Sequence, residues 1–337
     1  MFKSFCAAGA LLALFQIVNL TASVAQAAEK VVLTIPTTTL SLSSFFIAKD
    51  SGLFAKEGIE MEDRLIVGVG AVNAVLAGSA DFAISAGPSM TRAVAQGQKL
   101  IALGVLVDKP MVELVIRKDV AEAAGITREM PLAERAKRIK GKTIAIQGVG
   151  SAVHASQRLI VAQGGLDVEN DVRITPMDPP AMVPAMIAKQ VDGFATSLPF
   201  TTQPLVDGTA IALASLPMGD LPQYNPMAYL ILMTRPEVCQ QNRAKCVGVV
   251  KALNAANKFM KEKTDEAKAI LRPRYKNLDQ KVFDAAWPVV VAAHPATMAL
   301  TEQALANAQK FGVDAKLEDP KDSVKDLKGL FTNEFIN

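Results

Sequence analysis

The chain has 337 residues, of which half are hydrophobic and a fifth are charged, and its formal net charge is +3. This length allows two units with separate hydrophobic cores, and the apolar content argues against intrinsic disorder. The small net charge, without a basic run interleaved with aromatic residues, indicates that nucleic acid is not a partner.

The N-terminus has the pattern of a cleavable secretory signal peptide. Lys3 precedes an apolar run over 7–20, and a small-x-small pattern follows at 25–27. A membrane anchor is the alternative, but the run is shorter than the roughly 20 apolar residues that cross a bilayer. We expect cleavage before Ala28, removal of residues 1–27 and export to the periplasm.

Two cysteines remain after that cleavage, Cys239 and Cys246, seven residues apart. On one straight helix these positions are about 10.5 Å apart along the axis, which is too far for a bridge. A disulfide therefore requires a helical turn over 236–240 and then a bend through 241–244. The sequence leaves open a structural disulfide or two free buried thiols.

Strands, polar or glycine-rich loops and helices alternate along the mature chain, which predicts open parallel α/β sheets. The predicted strands cover 31–35, 59–66, 81–84, 100–107, 112–117, 143–146, 172–175, 192–195, 211–214 and 227–234. The main predicted helices cover 42–57, 71–77, 88–96, 151–163, 179–188, 244–263, 264–272, 280–293 and 297–311. In such sheets, ligands bind beyond the carboxyl ends of the strands.

Two of these strands, 112–117 and 227–234, are interpreted as crossings between two lobes. We therefore predict lobe I from residues 28–111 plus 227–337 and lobe II from residues 112–226. The ligand cleft is expected between the two lobes.

An internal repeat supports this division into two matched units. Residues 74–88 read AVLAGSADFAISAGP and residues 185–199 read AMIAKQVDGFATSLP, each with a proline seven residues beyond an aspartate. A GVG loop followed by a predicted helix also occurs in both units, at 68–70 and 148–150. Coincidence between two ordinary βα units is the alternative.

Hydroxyl groups and helix-start amides collect in the loops that follow the strands. Such donors bind a small anion without an arginine. His154, in the first turn after the second GVG loop, is either a donor to a ligand or a packing residue. Ser197 is interpreted as a hydroxyl donor, because the sequence places no general base beside it.

The sequence lacks the usual cofactor and metal motifs. Neither GVG loop completes G-x-G-x-x-G, because Asn73 and Val153 stand where the third glycine is required. There is also no G-x-x-x-x-G-K-[ST], no H-E-x-x-H and no paired C-x-x-C. We therefore expect no cofactor, no metal and no catalytic residue.

Four segments resemble the periplasmic solute-binding proteins of ABC importers: FFIAKDSGLFAKEGIEME, AVLAGSADFAIS, IKGKTIAIQGVGSAVH and IAKQVDGFATSLPF. More narrowly, the chain is similar to the nitrate-, sulfonate- and taurine-binding group, which includes binders of thiamine pyrimidine precursors. This resemblance implies a two-lobed α/β type II periplasmic-binding fold, with two open sheets joined by two hinge strands. It also implies that the partners are a small solute and the permease and ATPase subunits of an importer.

The family's binding positions, with the loop residues above, give the predicted ligand-binding set. It comprises Thr38, Thr39, Ser41, Gly70, Ser85, Gly87, Gly150, Ser151, His154, Ser197 and Phe200. Ser197 stands where a tryptophan is often found in the family, which predicts a smaller wall or an extra donor there.

We therefore expect a monomeric, non-enzymatic receptor that captures a small organic anion such as a sulfonate, taurine or nitrate. One alternative is an aromatic or heterocyclic solute, such as a thiamine pyrimidine precursor, held by Phe200 and Tyr224. Another is a ligand-sensing module, which no feature of the sequence separates from transport.

Overall fold

The computed structural model describes residues 28–149 and 151–336, so the predicted signal peptide and Gly150 lie outside the described residues. The strands are β1 Glu29–Ile35, β2 Ile59–Leu65, β3 Phe82–Ala86, β4 Ile101–Val107, β5 Glu113–Arg117, β6 Thr143–Ile146, β7 Arg173–Pro176, β8 Gly193–Thr196, β9 Ala210–Ser215 and β10 Leu230–Thr234. They form two five-stranded sheets with the orders β2-β1-β3-β10-β4 and β7-β6-β8-β5-β9. The predicted α/β class with two sheets is confirmed.

Helices cover both sheets. They are α1 Ser43–Asp50, α2 Leu53–Lys56, α3 Val69–Leu76, α4 Gly87–Ala95, α5 Lys118–Ala123, α6 Leu132–Lys137, α7 Ala152–Gln163, α8 Val168–Asp171, α9 Pro179–Ile187, α10 Thr202–Val206, α11 Pro236–Gln241, α12 Arg243–Glu262, α13 Thr264–Leu271, α14 Gln280–Ala293 and α15 Glu302–Asp314. Short 3₁₀ turns occupy 40–42, 222–224, 272–275, 320–322 and 328–330. Within the described ranges, none of the helices has the length and apolarity needed to cross a membrane.

The sheets are mixed rather than parallel throughout, because each contains one antiparallel strand in its interior. Strand β10 lies antiparallel between β3 and β4, and β5 lies antiparallel between β8 and β9. Both were predicted as crossing strands. Each is the first strand that the chain forms after it crosses from the other sheet, and each is antiparallel to both of its neighbours. A run of apolar residues identifies a buried strand but carries no information about its direction.

The predicted helix over 42–57 is also divided in the structure. Helix α1 ends at Asp50, and Gly52 has a φ of 72°, a left-handed conformation that glycine adopts without steric cost. The chain therefore turns at Ser51 and Gly52 and restarts as α2.

The internal repeat is structural, and its two aspartates perform the same task. The Asp81 carboxylate accepts a hydrogen bond from the Val32 N–H at 2.8 Å, and the Asp192 carboxylate accepts one from the Thr143 N–H at 2.8 Å. In return, the Asp81 N–H donates to Val32 and the Asp192 N–H donates to Thr143. Each aspartate thus joins the turn before its strand to the preceding parallel strand.

The disulfide between Cys239 and Cys246 is present, with a Cα–Cα distance of 5.5 Å. Helix α11 ends at Gln241, and Asn242 has non-helical backbone angles before α12 begins. The chain therefore bends between the two cysteines, as the bridge requires. Of the two alternatives that the sequence leaves open, the structure contains the disulfide.

The paired aspartates generate a stability prediction. Replacing Asp192 by Ala leaves the Thr143 N–H without its acceptor, so the free energy of unfolding is expected to fall by about 1–3 kcal/mol. Asp81→Ala is expected to cost a similar amount. Urea unfolding followed by circular dichroism measures both.

Asp178→Ala is the matched control, because Asp178 is exposed and its side chain makes no capping hydrogen bond. It should change the free energy of unfolding by less than about 0.5 kcal/mol. If Asp192→Ala proved as stable as this control, the structural role of the repeat aspartate would be wrong.

Candidate functional site

A pocket lies between the loops of the two sheets, and we call it the cleft pocket. Its cavity volume is about 100 Å³, well below the roughly 300–1,000 Å³ of pockets for drug-sized ligands. It is lined by Pro36, Thr37, Ser41, Gly68, Val69, Ser85, Ala86, Ser89, Arg92, Gln147, Ser151, Ala152, Val153, Ser197, Tyr229 and Leu230. A pocket of this size suits a small solute.

The strand directions explain why these residues meet. The first-sheet residues follow the carboxyl ends of the parallel strands β1, β2 and β3, and the second-sheet residues follow β6 and β8. The start of the crossing strand β10 contributes Tyr229 and Leu230. The cleft pocket therefore lies where ligands bind in open α/β sheets.

Hydroxyl groups from both sheets face the cleft pocket. The Ser41 hydroxyl is 2.8 Å from the Thr39 hydroxyl, so one of them donates to the other. The Tyr229 hydroxyl bonds to Ser197, and burial raises the pKa of Tyr229 to about 12. Tyr229 is therefore a neutral donor at physiological pH. Serines 85 and 89 also line the pocket.

The first residues of α7 line this pocket. The Ser151 hydroxyl caps the helix, accepting from the His154 N–H at 3.2 Å and donating to the Gly148 carbonyl at 2.7 Å. The N–H groups of Ala152 and Val153 lie in the first turn, where a helix offers no acceptor of its own. Such amides favour an anionic guest.

Arg92 brings a positive charge to the same pocket. It lies on α4, and among the described residues no carboxylate forms an ion pair with it. The sequence analysis required no arginine for anion binding, and Arg92 is an additional donor in this lining. A guanidinium with hydroxyl and amide donors around it is a complete donor set for a small oxyanion.

A smaller recess continues inward from the cleft pocket. Its lining shares Ala86, Ser89, Arg92, Ala152 and Tyr229 with the cleft pocket and adds Pro88, Met227, Phe311 and Leu317. The added residues are apolar. One end of the combined site is thus rich in donors and the other is hydrophobic.

Glu318 follows Leu317, which lines this recess, and the Glu318 side chain is buried. Glu318 is 8% exposed, and its Oε1 accepts a hydrogen bond from the Thr91 hydroxyl at 2.9 Å. Its Oε2 is buried and has no hydrogen-bond partner among the described residues. Burial raises the pKa of Glu318 to about 7, and the positive charge of Arg92 opposes that rise. Glu318 is the acidic group coupled to the cleft arginine.

Two sets of hydrogen bonds connect the sheets around the cleft. The Leu40 N–H donates to the Leu198 carbonyl at 3.2 Å. The Arg158 guanidinium of α7 donates to the carbonyls of Ala315 and Lys316, which follow α15. The two sides are therefore in direct contact in this conformation.

Four of the predicted binding residues line the cleft pocket: Ser41, Ser85, Ser151 and Ser197. Three others, Thr38, Thr39 and Phe200, line a separate open groove with Arg274 and Tyr275. Ligand contact by any of these residues stays a prediction.

His154, Gly87, Gly70 and Tyr224 lie outside the cleft pocket. His154 lines an outer groove beside Arg158 and Glu169, and burial lowers its pKa. Gly87 packs against the crossing segment, since a Cβ there would lie 2.1 Å from the Ala228 carbonyl oxygen. A Cβ on Gly70 would meet Ile66, while Gly68 and Val69 of the same loop reach the pocket. The Tyr224 hydroxyl donates to Asp314 at 2.7 Å, and its ring packs on Phe311.

Sequence reasoning missed Arg92, Ser89 and Tyr229. The spacing of Ser89 and Arg92 was a usable signal, because residues three apart share one face of a helix. Their helix, α4, begins directly after β3, the strand that contains Ser85. This helix face therefore lies near the carboxyl end of β3. Nothing in the sequence indicated how α4 is rotated about its axis.

The acidic groups near the crossings are already paired. Glu113 accepts from the hydroxyls of Thr201 and Ser215, and Asp220 pairs with Arg128 and Arg135. In the described part of the chain, no cluster of three His, Cys, Asp or Glu side chains is arranged to hold a metal ion.

This arrangement of two mixed sheets with a cleft between their strand ends is the periplasmic binding protein fold. The chain belongs to the NMT1-like family, whose model matches residues 26–272. No curated protein sequence is a significant match to it.

Solved structures support the fold at low sequence identity. The alkanesulfonate-binding protein SsuA from Xanthomonas axonopodis pv. citri, bound to MOPS, matches with a TM-score of 0.68 and 18% identity over 90% of this chain and 98% of its own. The periplasmic nitrate-binding protein NrtA from Synechocystis PCC 6803 matches with a TM-score of 0.66 and 15% identity over 91% of this chain and 86% of its own.

A third match is a mutant of DszB in complex with biphenyl-2-sulfinic acid. Its TM-score is 0.63 and its identity is 12%, over 92% of this chain and 98% of its own. At these identities the comparisons establish the fold and leave the ligand open.

The buried carboxyl of Glu318 predicts a pH-dependent stability. Its pKa of about 7 in the folded state lies above its ordinary value of 4.5, so its protonated form stabilises the native state. That contribution is complete below pH 4.5 and is lost as the pH rises through 7. Relative to the wild type, Glu318→Gln should gain up to about 3 kcal/mol between pH 4.5 and 8.

Chemical denaturation at several pH values measures this difference. Glu122→Gln serves as the control, because Glu122 is exposed and should show no comparable trend. A constant stability difference between Glu318→Gln and the wild type from pH 4.5 to 8 would contradict the raised pKa.

Proposed function

We propose that this chain is the extracytoplasmic solute-binding receptor of an ABC importer, and that its solute is a small organic anion. The observation that carries the proposal is Arg92, whose guanidinium faces the cleft pocket without a carboxylate partner among the described residues. A cation without an ion-paired carboxylate, in a pocket with hydroxyl donors, favours a guest that brings a negative charge.

The start of α7 and Ser197 come from the second sheet, whereas Ser89, Arg92 and Tyr229 belong to the side of the first sheet. An anion in the pocket would bond to groups carried by both sheets, so its binding would favour their closed arrangement. We assign lobe I to residues 28–111 plus 227–337 and lobe II to residues 112–226. Delivery to a permease, in the periplasm and after removal of a signal peptide, completes the proposal.

The ligands of two similar structures agree with this class of solute. One neighbour binds alkanesulfonates and another binds nitrate. A sulfonate group offers three oxygens and one negative charge, and it suits one guanidinium with several neutral donors. The apolar recess beside Arg92 has a volume of about 20 Å³ and would accept only a methyl-sized end of a solute, which favours a small organic sulfonate over nitrate.

We propose binding without chemistry. Nucleophilic catalysis needs an activating base within hydrogen-bond reach, and His154 lines the outer groove rather than the cleft pocket. An aromatic or heterocyclic solute is less favoured, because Phe200 and Tyr224, the residues expected to pack against it, lie outside the cleft pocket.

A thermal-shift screen tests the class of solute. Protein stripped of co-purified ligand is expected to be stabilised by ethanesulfonate, taurine or nitrate, since a ligand at 100 times its Kd contributes about 2.7 kcal/mol. Buffers that contain a sulfonate must be avoided. Stabilisation by pyrimidines alone would contradict the anion proposal.

Substitutions of Arg92 test the residue that carries the proposal. Arg92→Ala removes the charged donor and is expected to raise the Kd for a stabilising anion about 100-fold, whereas Arg92→Lys keeps the charge and should raise it about 10-fold. Isothermal titration calorimetry measures both.

Lys99→Ala is the matched control, because it removes an exposed positive charge shortly after α4. The Kd of Lys99→Ala for the same anion should remain within twofold of the wild-type value. An Arg92→Ala protein with wild-type affinity would exclude Arg92 as the anion-binding group.

A further inference from the structure

The buried carboxyl group of Glu318 and the cleft arginine form one electrostatic unit. Glu318 bonds to Thr91, the residue immediately before Arg92 on α4, and Leu317, its own neighbour, lines the recess that Arg92 also lines. From α15, Gly312 contacts the carboxyl so closely that a Cβ there would lie 2.5 Å from its Oε1. Contacts with Thr91 and with Gly312 therefore fix the position of the carboxyl.

The other charged groups around this segment are engaged elsewhere. Arg158 of α7 pairs with Glu169 and bonds to carbonyls at 315 and 316. Lys316 pairs with Asp167, and on α15 Lys310 pairs with Asp314. Arg92 is the cation whose charge acts on Glu318. A change in the charge at Arg92 therefore changes the pKa of the Glu318 carboxyl.

We propose that Glu318 is a proton-linked affinity residue: an anion that binds at Arg92 drives proton uptake by the Glu318 carboxyl, so the receptor binds its solute more tightly as the pH falls. This inference rests on the proposed function of the cleft pocket. Glu318 does not contact the solute. It acts through the charge of Arg92, and in this sense it is a positioning residue.

The physical argument compares the empty and the occupied cleft. In the empty cleft, the positive charge of Arg92 favours the ionised carboxylate and partly offsets the cost of burying it. A bound anion neutralises that positive charge, and the carboxylate then lies buried beside a net charge of zero. Ionisation becomes less favourable, and the pKa of Glu318 rises further.

Reciprocity fixes the direction of the effect. If the anion raises the affinity of Glu318 for a proton, then protonation of Glu318 raises the affinity for the anion by the same factor. The unpartnered Oε2 fits this reading, because a buried protonated carboxyl needs fewer partners than a buried carboxylate.

Ethanesulfonate is the appropriate probe, because it carries no group that titrates between pH 5.5 and 8.5. In the wild type, the association constant is expected to fall about three- to fivefold from pH 6 to 8, as a rise of up to about one unit in the pKa of Glu318 would produce. In Glu318→Gln, which keeps the acceptor for Thr91 and cannot ionise, it should remain constant within twofold. The two proteins should have similar affinities at pH 5.5.

A second readout counts the proton directly. Mixing ethanesulfonate with the wild type near pH 7 in unbuffered solution should raise the pH measured by an electrode, and Glu318→Gln should give no such rise. Glu122→Gln, which removes an exposed carboxylate, should behave as the wild type does. A purely structural role for Glu318 would change affinity equally at every pH and would not alter proton uptake.

The outcomes separate the two proposals. Binding with the same pH dependence in the wild type and Glu318→Gln overturns the role of Glu318 and leaves the receptor proposal intact. Failure of ethanesulfonate to bind at any pH counts against the organic sulfonate assignment and overturns the proton linkage with it.

Discussion

Two antiparallel strands that follow the crossings are the constraint on which the rest of the structure depends. Strand β10 lies between β3 and β4 in the first sheet, and β5 lies between β8 and β9 in the second, so the strand that follows each crossing holds the two sides of its sheet together. Every residue of β10 is buried, and its ladder bonds to both neighbours fix its register. The chain must therefore cross twice, and these crossings bring the strand ends of the two sheets together around one pocket.

The internal repeat makes the two halves alike in framework and unlike in chemistry. Asp81 and Asp192 hold equivalent strands with equivalent hydrogen bonds. Aligning Pro88 with Pro199 places Gln203 at the position of Arg92, and the Gln203 amide is bonded to Asp207. The positive charge of the cleft is thus carried by one half alone, which also carries Glu318 behind it. The other half offers neutral donors, the α7 amides and the Ser197 hydroxyl.

The candidate site shows where sequence reasoning succeeded and where it stopped. Ser41, Ser85, Ser151 and Ser197 follow strand ends, and the rule that ligands bind at such ends is enough to select them. The same rule does not extend to His154, which lies in the correct helix turn but whose side chain packs on the outer face. Arg92 and Glu318 were overlooked because they are separated by 226 residues in sequence (318 minus 92), and no local pattern connects them.

The sequence by itself determined the strands, most helices, the α/β class, the repeat and the spacing that permits the Cys239–Cys246 bridge. These features depend on interactions within about four residues, or on runs of apolar side chains that demand burial. Only the tertiary structure decided the direction of β5 and β10, the rotation of α4 that turns Arg92 into the cleft, and the burial of Glu318 behind it. Those features depend on which distant elements pack together. Packing sets the surface that a helix presents, and burial together with nearby charges sets the charge state of a carboxyl.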